Sequence, residues 1–364
     1  MNPLNVLLIF VPVAFVLEFS HASDTLIFGA ACLAILPLAG LMGRATEELA
    51  VRTGSTIGGL LNATFGNATE LIIAFFALSA GKFEVVKASI TGSIIGNLLL
   101  VLGLALFLGG LRYARQTFNA HGAQVTASLL TISVIAFLVP ALFDYTERAL
   151  GVGASAIRVD DTHLAFGVSL VLIALYAANI VFTLFTHRDL LSTADQSHEG
   201  AEAAWSPPVA VGVLLAATVL VGFMSEFLVG SLDGFTTALG LSEFFVGIII
   251  IPIVGNAAEH AAAVLFAMKN KMDLSVTIAL GSTVQVALLV APVLVLLSFA
   301  IGRPMDLVLH NPLELITLIG AVLIGNSVAR DGETNWLEGL MLLGVYVIAA
   351  IAFFFLPSGP GLGG

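Results

Sequence analysis

Gly66-Asn67-Ala68-Thr69-Glu70 returns with a single change as Gly255-Asn256-Ala257-Ala258-Glu259. Each copy lies inside a long apolar segment, with no Lys or Arg from residue 57 to 80 or from 243 to 268. Positions three apart on a helix share a face, so each copy aims an amide and a carboxyl the same way. A carboxylate near the centre of a membrane span costs about 2.5–3.5 kcal/mol on insertion scales. A chain that accepts this twice, in matched local sequence, has a use for the acids. The pattern points to a cation and proton site where two repeats meet, with Glu70 and Glu259 at its centre. In the plainer account each acid snorkels to an interface or pairs with a buried base, and neither segment carries a Lys or Arg.

The neighbours of the two acids extend the site. Asn67 and Asn256 supply amide oxygens one turn before each Glu, although an isolated intramembrane Asn is often helix-packing glue. Gly66 and Gly255 precede them, and Pro252 lies three residues before Gly255. Gly and Pro weaken a membrane helix at that depth and free carbonyls to face a cavity. Two carboxylates, two amides, carbonyls and water approach the six to eight hard oxygens that calcium prefers. No cysteine is near, which disfavours soft metals. Ser93 with Asn97, and Ser282 with Gln285, form a second matched polar layer. They either line a pathway or, as serines often do, bond to their own helix. His260 follows Glu259 with no counterpart in the first copy, where Leu71 stands; beside an acid in a membrane core it is a candidate proton-linked group. Glu47 and Glu48, in the charged stretch 44–52, read either as a gate or as a solvated turn. Glu226 and Glu314, near span ends, read as interface residues.

The bulk composition agrees with a membrane setting. Of 364 residues 59% are hydrophobic and 10% charged, against roughly a quarter charged in soluble domains. A net charge of −11, with no basic cluster, does not suit nucleic acid. The single cysteine, Cys32, excludes an intrachain disulfide. The first apolar run has no Lys or Arg before it, unlike a signal peptide, and is expected to be a retained helix.

Eleven apolar stretches of about the length a span requires lie near 3–19, 25–43, 57–80, 85–110, 123–143, 163–186, 207–229, 243–268, 274–300, 308–328 and 336–356. The repeat holds at one offset, 259 − 70 = 189, without a gap: Lys82 falls on Lys271 and Gly92-Ser93 on Gly281-Ser282. This offset pairs spans two to six with seven to eleven. Five helices per repeat is odd, so the second copy enters from the opposite side, the inverted arrangement of many secondary transporters. The expected fold is an all-α integral membrane protein of about eleven transmembrane helices, in two inverted five-helix repeats plus an extra N-terminal helix. Its parts are that helix (1–20), a first repeat (21–190, signature 58–103), a polar linker (191–206), a second repeat (207–356, signature 247–292) and a tail (357–364). Arg44, Arg52, Arg112, Arg115, Arg188, Lys269, Lys271 and Arg330 fall on the N-terminal side of the membrane, which favours a cytoplasmic N-terminus and a C-terminus on the opposite side.

Gly58-Gly59-Leu60-Leu61-Asn62-Ala63-Thr64-Phe65, running into the first motif, resembles the first signature repeat of the calcium/proton exchangers. The second motif with His260, followed by Gly281-Ser282-Thr283-Val284-Gln285, resembles the second. Arg44-Ala45-Thr46-Glu47-Glu48-Leu49-Ala50 is similar to the family's segment between spans two and three. The resemblance covers essentially the whole chain and implies an eleven-helix antiporter of the calcium/cation exchanger superfamily, not an enzyme and without a cofactor. It implies that Glu70 and Glu259 bind calcium and protons alternately, with Asn67, Asn256, Ser93, Ser282, Gln285 and His260 around them. Sodium-coupled relatives carry Thr-Ser at the positions of Asn67-Ala68 and Asn256-Ala257, so the motif points to protons. The linker lacks the dense acidic run of some members. Expected partners are membrane lipid, calcium and protons; homo-oligomerisation stays open, and a prokaryotic cell membrane is the expected host. A cation channel with an acidic selectivity site and a sodium-coupled exchanger are the alternatives. A hydrolase is disfavoured because Asn256 stands where H-x-x-E-H needs histidine.

Overall fold

The computed structural model describes residues 3–187 and 204–356; the expected linker up to residue 203 and the tail 357–364 lie outside the described residues. The helices are α1 (Leu4–Phe19), α2 (Asp24–Phe65), α3 (Ala68–Ser79), α4 (Phe83–Arg112), α5 (Ala120–Ala149), α6 (Ala154–Thr186), α7 (Pro207–Gly230), α8 (Leu232–Leu239), α9 (Glu243–Gly255), α10 (Ala257–Ala267), α11 (Met272–Ala300), α12 (Pro312–Val328) and α13 (Trp336–Phe354). Each expected apolar stretch is helical over most of its length, though in 308–328 the helix begins only at Pro312. Among the described residues seven helices are long and apolar enough to cross a membrane, or eight with the bent pair α8–α9. Among the described residues the regular structure is all-helical apart from one short antiparallel pairing, which apolar periodicity does not reveal. There β1 (Gln116–Thr117) meets β2 (Glu333–Thr334), with Gln116 opposite Thr334.

Charged side chains sort the connections onto two faces. On the first face Arg52 donates to the Trp205 carbonyl (2.6 Å), Arg112 to that of Met268 (3.2 Å) and Gln116 to that of Ala267 (2.8 Å), and Arg115 pairs with Glu333. On the second, Arg303 donates to the Ser79 carbonyl (2.8 Å), and Lys82 pairs with Asp233 and Glu243. Lys87, buried near the start of α4, pairs there with Glu84 (2.7 Å) and Asp306 (3.1 Å) and donates to the Val308 carbonyl (3.0 Å). Burial alone would raise the Asp306 carboxyl, but Lys87 and the Val308 amide outweigh it and hold it below the usual carboxylate range.

The stretch 44–52 corrects the expected position of a turn. It is helical, and Arg44 reaches Glu48 at 3.8 Å, one turn on. The chain turns back on itself between Ala50 and Gly58, where a methyl built on Gly58 would lie 2.9 Å from the Ala50 carbonyl oxygen. Eight residues of straight helix would separate them by about 12 Å. At the repeat mate of this stretch the path differs. Gly240, in the place of Val51, ends α8 at φ +65°, a left-handed conformation that a β-branched residue resists, and α9 leaves at 112° to α8.

The most enclosed helices are α4 and α11, while α6 and α13 turn most of their surface outward. The broadest helix-to-helix packing joins α2 to α7. With lipid on the outside, the exposed apolar residues of α5, α6, α7 and α13 need no further partner.

Candidate functional site

Both motifs interrupt a helix. Asn67 (φ −103°, ψ 25°) separates the end of α2 from α3, and Asn256 (φ −93°, ψ 6°) separates α9 from α10. Glu70 and Glu259 thus fall in the first turns of α3 and α10, where the positive end of the helix dipole favours negative charge. The two copies interlock. A methyl built on Gly66 would lie 3.5 Å from Glu259 Oε1, and one built on Gly255 would lie 3.2 Å from Glu70 Cγ. Each glycine therefore faces the acid of the other copy, closely enough at Gly255 that a methyl there would crowd Glu70.

Around the acids, amides and hydroxyls form a hydrogen-bonded layer in two clusters, one running from Gln285 through Asn67, Ser282 and Asn97 to His260, the other joining Asn256 to Ser93. The Asn67 amide donates to Gln285 Oε1, and Ser282 Oγ donates to Asn67 Oδ1 (3.1 Å). Asn97 Nδ2 reaches Ser282 Oγ at 3.1 Å, and Asn256 Nδ2 donates to Ser93 Oγ at 3.2 Å and to the Pro252 carbonyl at 3.0 Å. His260 Nε2 lies 3.2 Å from Asn97 Oδ1. All the residues expected at the site, from Asn67 to Gln285, are brought together. Asn67, Asn97, Ser93, Asn256 and Ser282 are buried. Both Glu70 carboxylate oxygens, Glu259 Oε2 and Asn256 Oδ1 are buried without a hydrogen-bond partner. A small cavity beside Glu70 is lined by Ser89, Ser93, Pro252 and Gly255.

Glu47 and Glu48 lie apart from this network. Glu48 is buried at the first face, where its Oε2 accepts from the Trp205 backbone N–H (2.9 Å). The Arg44 guanidinium sits 4.6 Å above the Trp205 ring. This replaces a solvated turn with a clasp on the segment that enters α7. Glu226 is exposed, as an interface residue should be. Glu314 departs from that reading: it is 4% exposed and accepts from the Thr91 hydroxyl. Position 125, its repeat mate, is Val, so repetition gave no signal for it.

Four π-helical turns among the described residues were also not legible from composition, and besides those at Phe182–Thr186 and Val246–Ile250 two are related by the repeat. These two span Gly96–Val101 in α4 and Val286–Val290 in α11, at matching places, with Asn97 in one and Gln285 just before the other. Such turns recur at functional sites.

The two faces are closed unequally around the network. On the second face α9 lies on α4 so closely that a methyl on Gly92 would sit 2.2 Å from the Ile248 carbonyl oxygen. Around Gly281, at the same offset, nothing lies within 4 Å. Ile57 is 54% exposed where its mate Val246 is 0%. The half-helix 57–65 stands away from α11 while α9 is shut against α4.

A family model described as sodium/calcium exchanger protein matches residues 23–185 and again 209–355. The Ca(2+)/H(+) antiporter of Aphanothece halophytica is 47% identical over 370 residues, covering 98% of this chain and 97% of that protein. The Ca(2+)/H(+) antiporter ChaA of Bacillus subtilis is 47% identical, covering 95% and 97%. The crystal structure of the selenium-substituted Ca2+/H+ antiporter protein YfkE superposes with a TM-score of 0.83 at 43% identity, over 98% of this chain and 100% of that one. Whole-length matches of this strength, with the family model falling on either side of the linker, make the chain a member of the sodium/calcium exchanger family, alongside its calcium/proton antiporters.

Proposed function

We propose that this protein is a secondary antiporter that exchanges calcium for protons across a membrane, holding either at one site built around Glu70 and Glu259. The observation that carries the reading is the interlocking of the two motifs, Gly66 against Glu259 and Gly255 against Glu70. It places two acids, most of whose carboxylate oxygens are buried, within electrostatic reach of each other. Two bare negative charges there repel strongly, so either a divalent cation or protons must neutralise them. Calcium and protons therefore compete for the same oxygens. The unpartnered oxygens of Glu70, Glu259 and Asn256, with Asn67, are ligands of the hard type calcium takes. The relatives named as calcium/proton antiporters support the same cargo.

The architecture that serves this exchange is eleven spans in two inverted five-helix repeats, 21–190 and 207–356, with 1–20 as an extra helix and 191–206 as linker. The first face, with more Lys and Arg, is the cytoplasmic one and holds the N-terminus; the C-terminus is opposite. The host is a prokaryotic cell membrane. Ser93, Asn97, Ser282 and Gln285 orient the ligands, and His260 acts on proton transfer. In sodium-free proteoliposomes a pH jump alone should drive calcium uphill toward the acidic side, and added calcium should discharge a preformed pH gradient. Calcium movement that needs sodium, or that runs only downhill regardless of pH, would reject the proposal in favour of a sodium-coupled exchanger or a channel.

His260→Ala should shift the pH profile of transport or slow it severalfold while calcium still binds. Hard calcium prefers oxygen to imidazole nitrogen, and the ring touches the network through Asn97. Calcium flux measured across pH 5–9 decides the matter, and an unchanged profile would make His260 a purely structural residue.

A further inference from the structure

We propose that Lys82, Asp233 and Glu243 form a one-sided latch that holds the second face shut and biases the transporter toward the state open at the first face. The inference rests on the two-repeat antiporter reading.

Lys82 sits in the turn between α3 and α4. Its ammonium pairs with Asp233 in the first turn of α8 and with Glu243, the first residue of α9, at 3.0 Å. Thus one cation of the first half ties down both sides of the α8–α9 corner of the second. α9 is the arm that lies on α4, with its Gly247 and Ile248 against Ala88 and Gly92. Glu243 is the residue from which that arm springs. If the second face opens as the first has, α9 must leave α4, and Glu243 must leave Lys82 with it.

The repeat separates this tie from static ones. Contacts between the fixed helices occur on both faces: Gln116 on the Ala267 carbonyl at the first, Arg303 on the Ser79 carbonyl at the second. The triad has no double. At the offset of 189, the mates of Lys82, Asp233 and Glu243 are Lys271, Arg44 and Gly54. Two cations and a glycine repel or ignore one another, and among the described residues Lys271 makes no ion pair. Only one of the two closed states has this lock. The asymmetry also matches the state in which the arms are found, α9 down and 57–65 away.

The three side chains are partly exposed. Ion clusters of that kind act on a scale of about two- to fivefold in an equilibrium, ample for two states of similar energy. Single-cysteine reporters at Ile249 and Leu60, which are repeat mates on the two arms, read the states in a Cys32→Ala background. Labelling uses a membrane-impermeant maleimide applied to each side of sealed vesicles. Lys82→Met should raise labelling at the Ile249 reporter about two- to fivefold and lower it at the Leu60 reporter. Asp233→Asn combined with Glu243→Gln should do the same, and serves if Lys82→Met fails to insert. The exchanged pair Lys82→Glu with Glu243→Lys should restore the original ratio, which a general loss of stability would not. Unchanged reporter labelling in the folded variants, or no recovery in the exchanged pair, overturns the latch. The labelling requires no ion flux, so it stands apart from failure of calcium/proton exchange, which the wild-type flux assay reads by itself.

Discussion

Glu70→Gln and Glu259→Gln should each reduce calcium transport by more than a hundredfold while the protein inserts and purifies as before. Glutamine keeps the shape of the side chain and its place against Gly255 or Gly66, but it cannot ionise. Each exchange removes one of only two negative charges at the site, and with it a calcium ligand and a proton carrier together. Removing an unpaired buried charge also relieves a desolvation penalty, so thermal stability should hold or rise. The two variants should fail alike, because the geometry gives the acids reciprocal positions. Flux in proteoliposomes at matched protein content, with melting curves in detergent, tests both halves of the expectation. Wild-type flux in either variant would remove the shared-site mechanism.

Gly92→Ala and Gly281→Ala should both cripple transport, at least tenfold, by opposite routes. The added methyl at position 92 would collide with the Ile248 carbonyl oxygen at 2.2 Å, a backbone atom that cannot swing aside. Overpacking of this kind costs about 1–3 kcal/mol, so α9 can no longer rest on α4 and the second face stays ajar. The methyl at position 281 meets nothing within 4 Å, so that variant should melt like the parent. Its fault appears only when the arm 57–65 comes down on α11 in the other state. Transport at the parental rate by Gly281→Ala would mean that the repeats do not trade roles.

These glycines also mark how far the sequence can be read. The acids, their Asn partners and the Ser layer were legible because polar residues stand out against an apolar background and recur at one offset. Helix interruption at 66–67 and 255–256 followed from Gly and Pro chemistry. The turn after span two was misplaced because Arg44, Glu47 and Glu48 mark solubility, and charge is as much at home in the last turns of a helix as in a loop. Glu314 was misread for a related reason: proximity to a span end suggests an interface, while its burial comes from Thr91 on a helix more than 200 residues away. The π-helical turns in α4 and α11 left no compositional trace, since apart from Gly96 and Asn97 their residues are ordinary Leu, Val and Ala. The unequal closure of the two faces is a property of state, and one sequence encodes both states.

The clasp on Trp205 joins the stretch 44–52 of α2 to the start of α7 as one piece, with 57–65 as the part of α2 beyond it. Glu48, Arg44 and Arg52 hold the residue that enters α7, and the two helices then pack along their lengths. The arm 57–65 hangs from one end of this beam and the α8–α9 corner from the other. In the proposed exchange, two shutters mounted on one beam would move as a seesaw, lifting one as the other lowers. On that reading the joint at Trp205 would also guard against leak, which would dissipate an ion gradient without carrying any cargo.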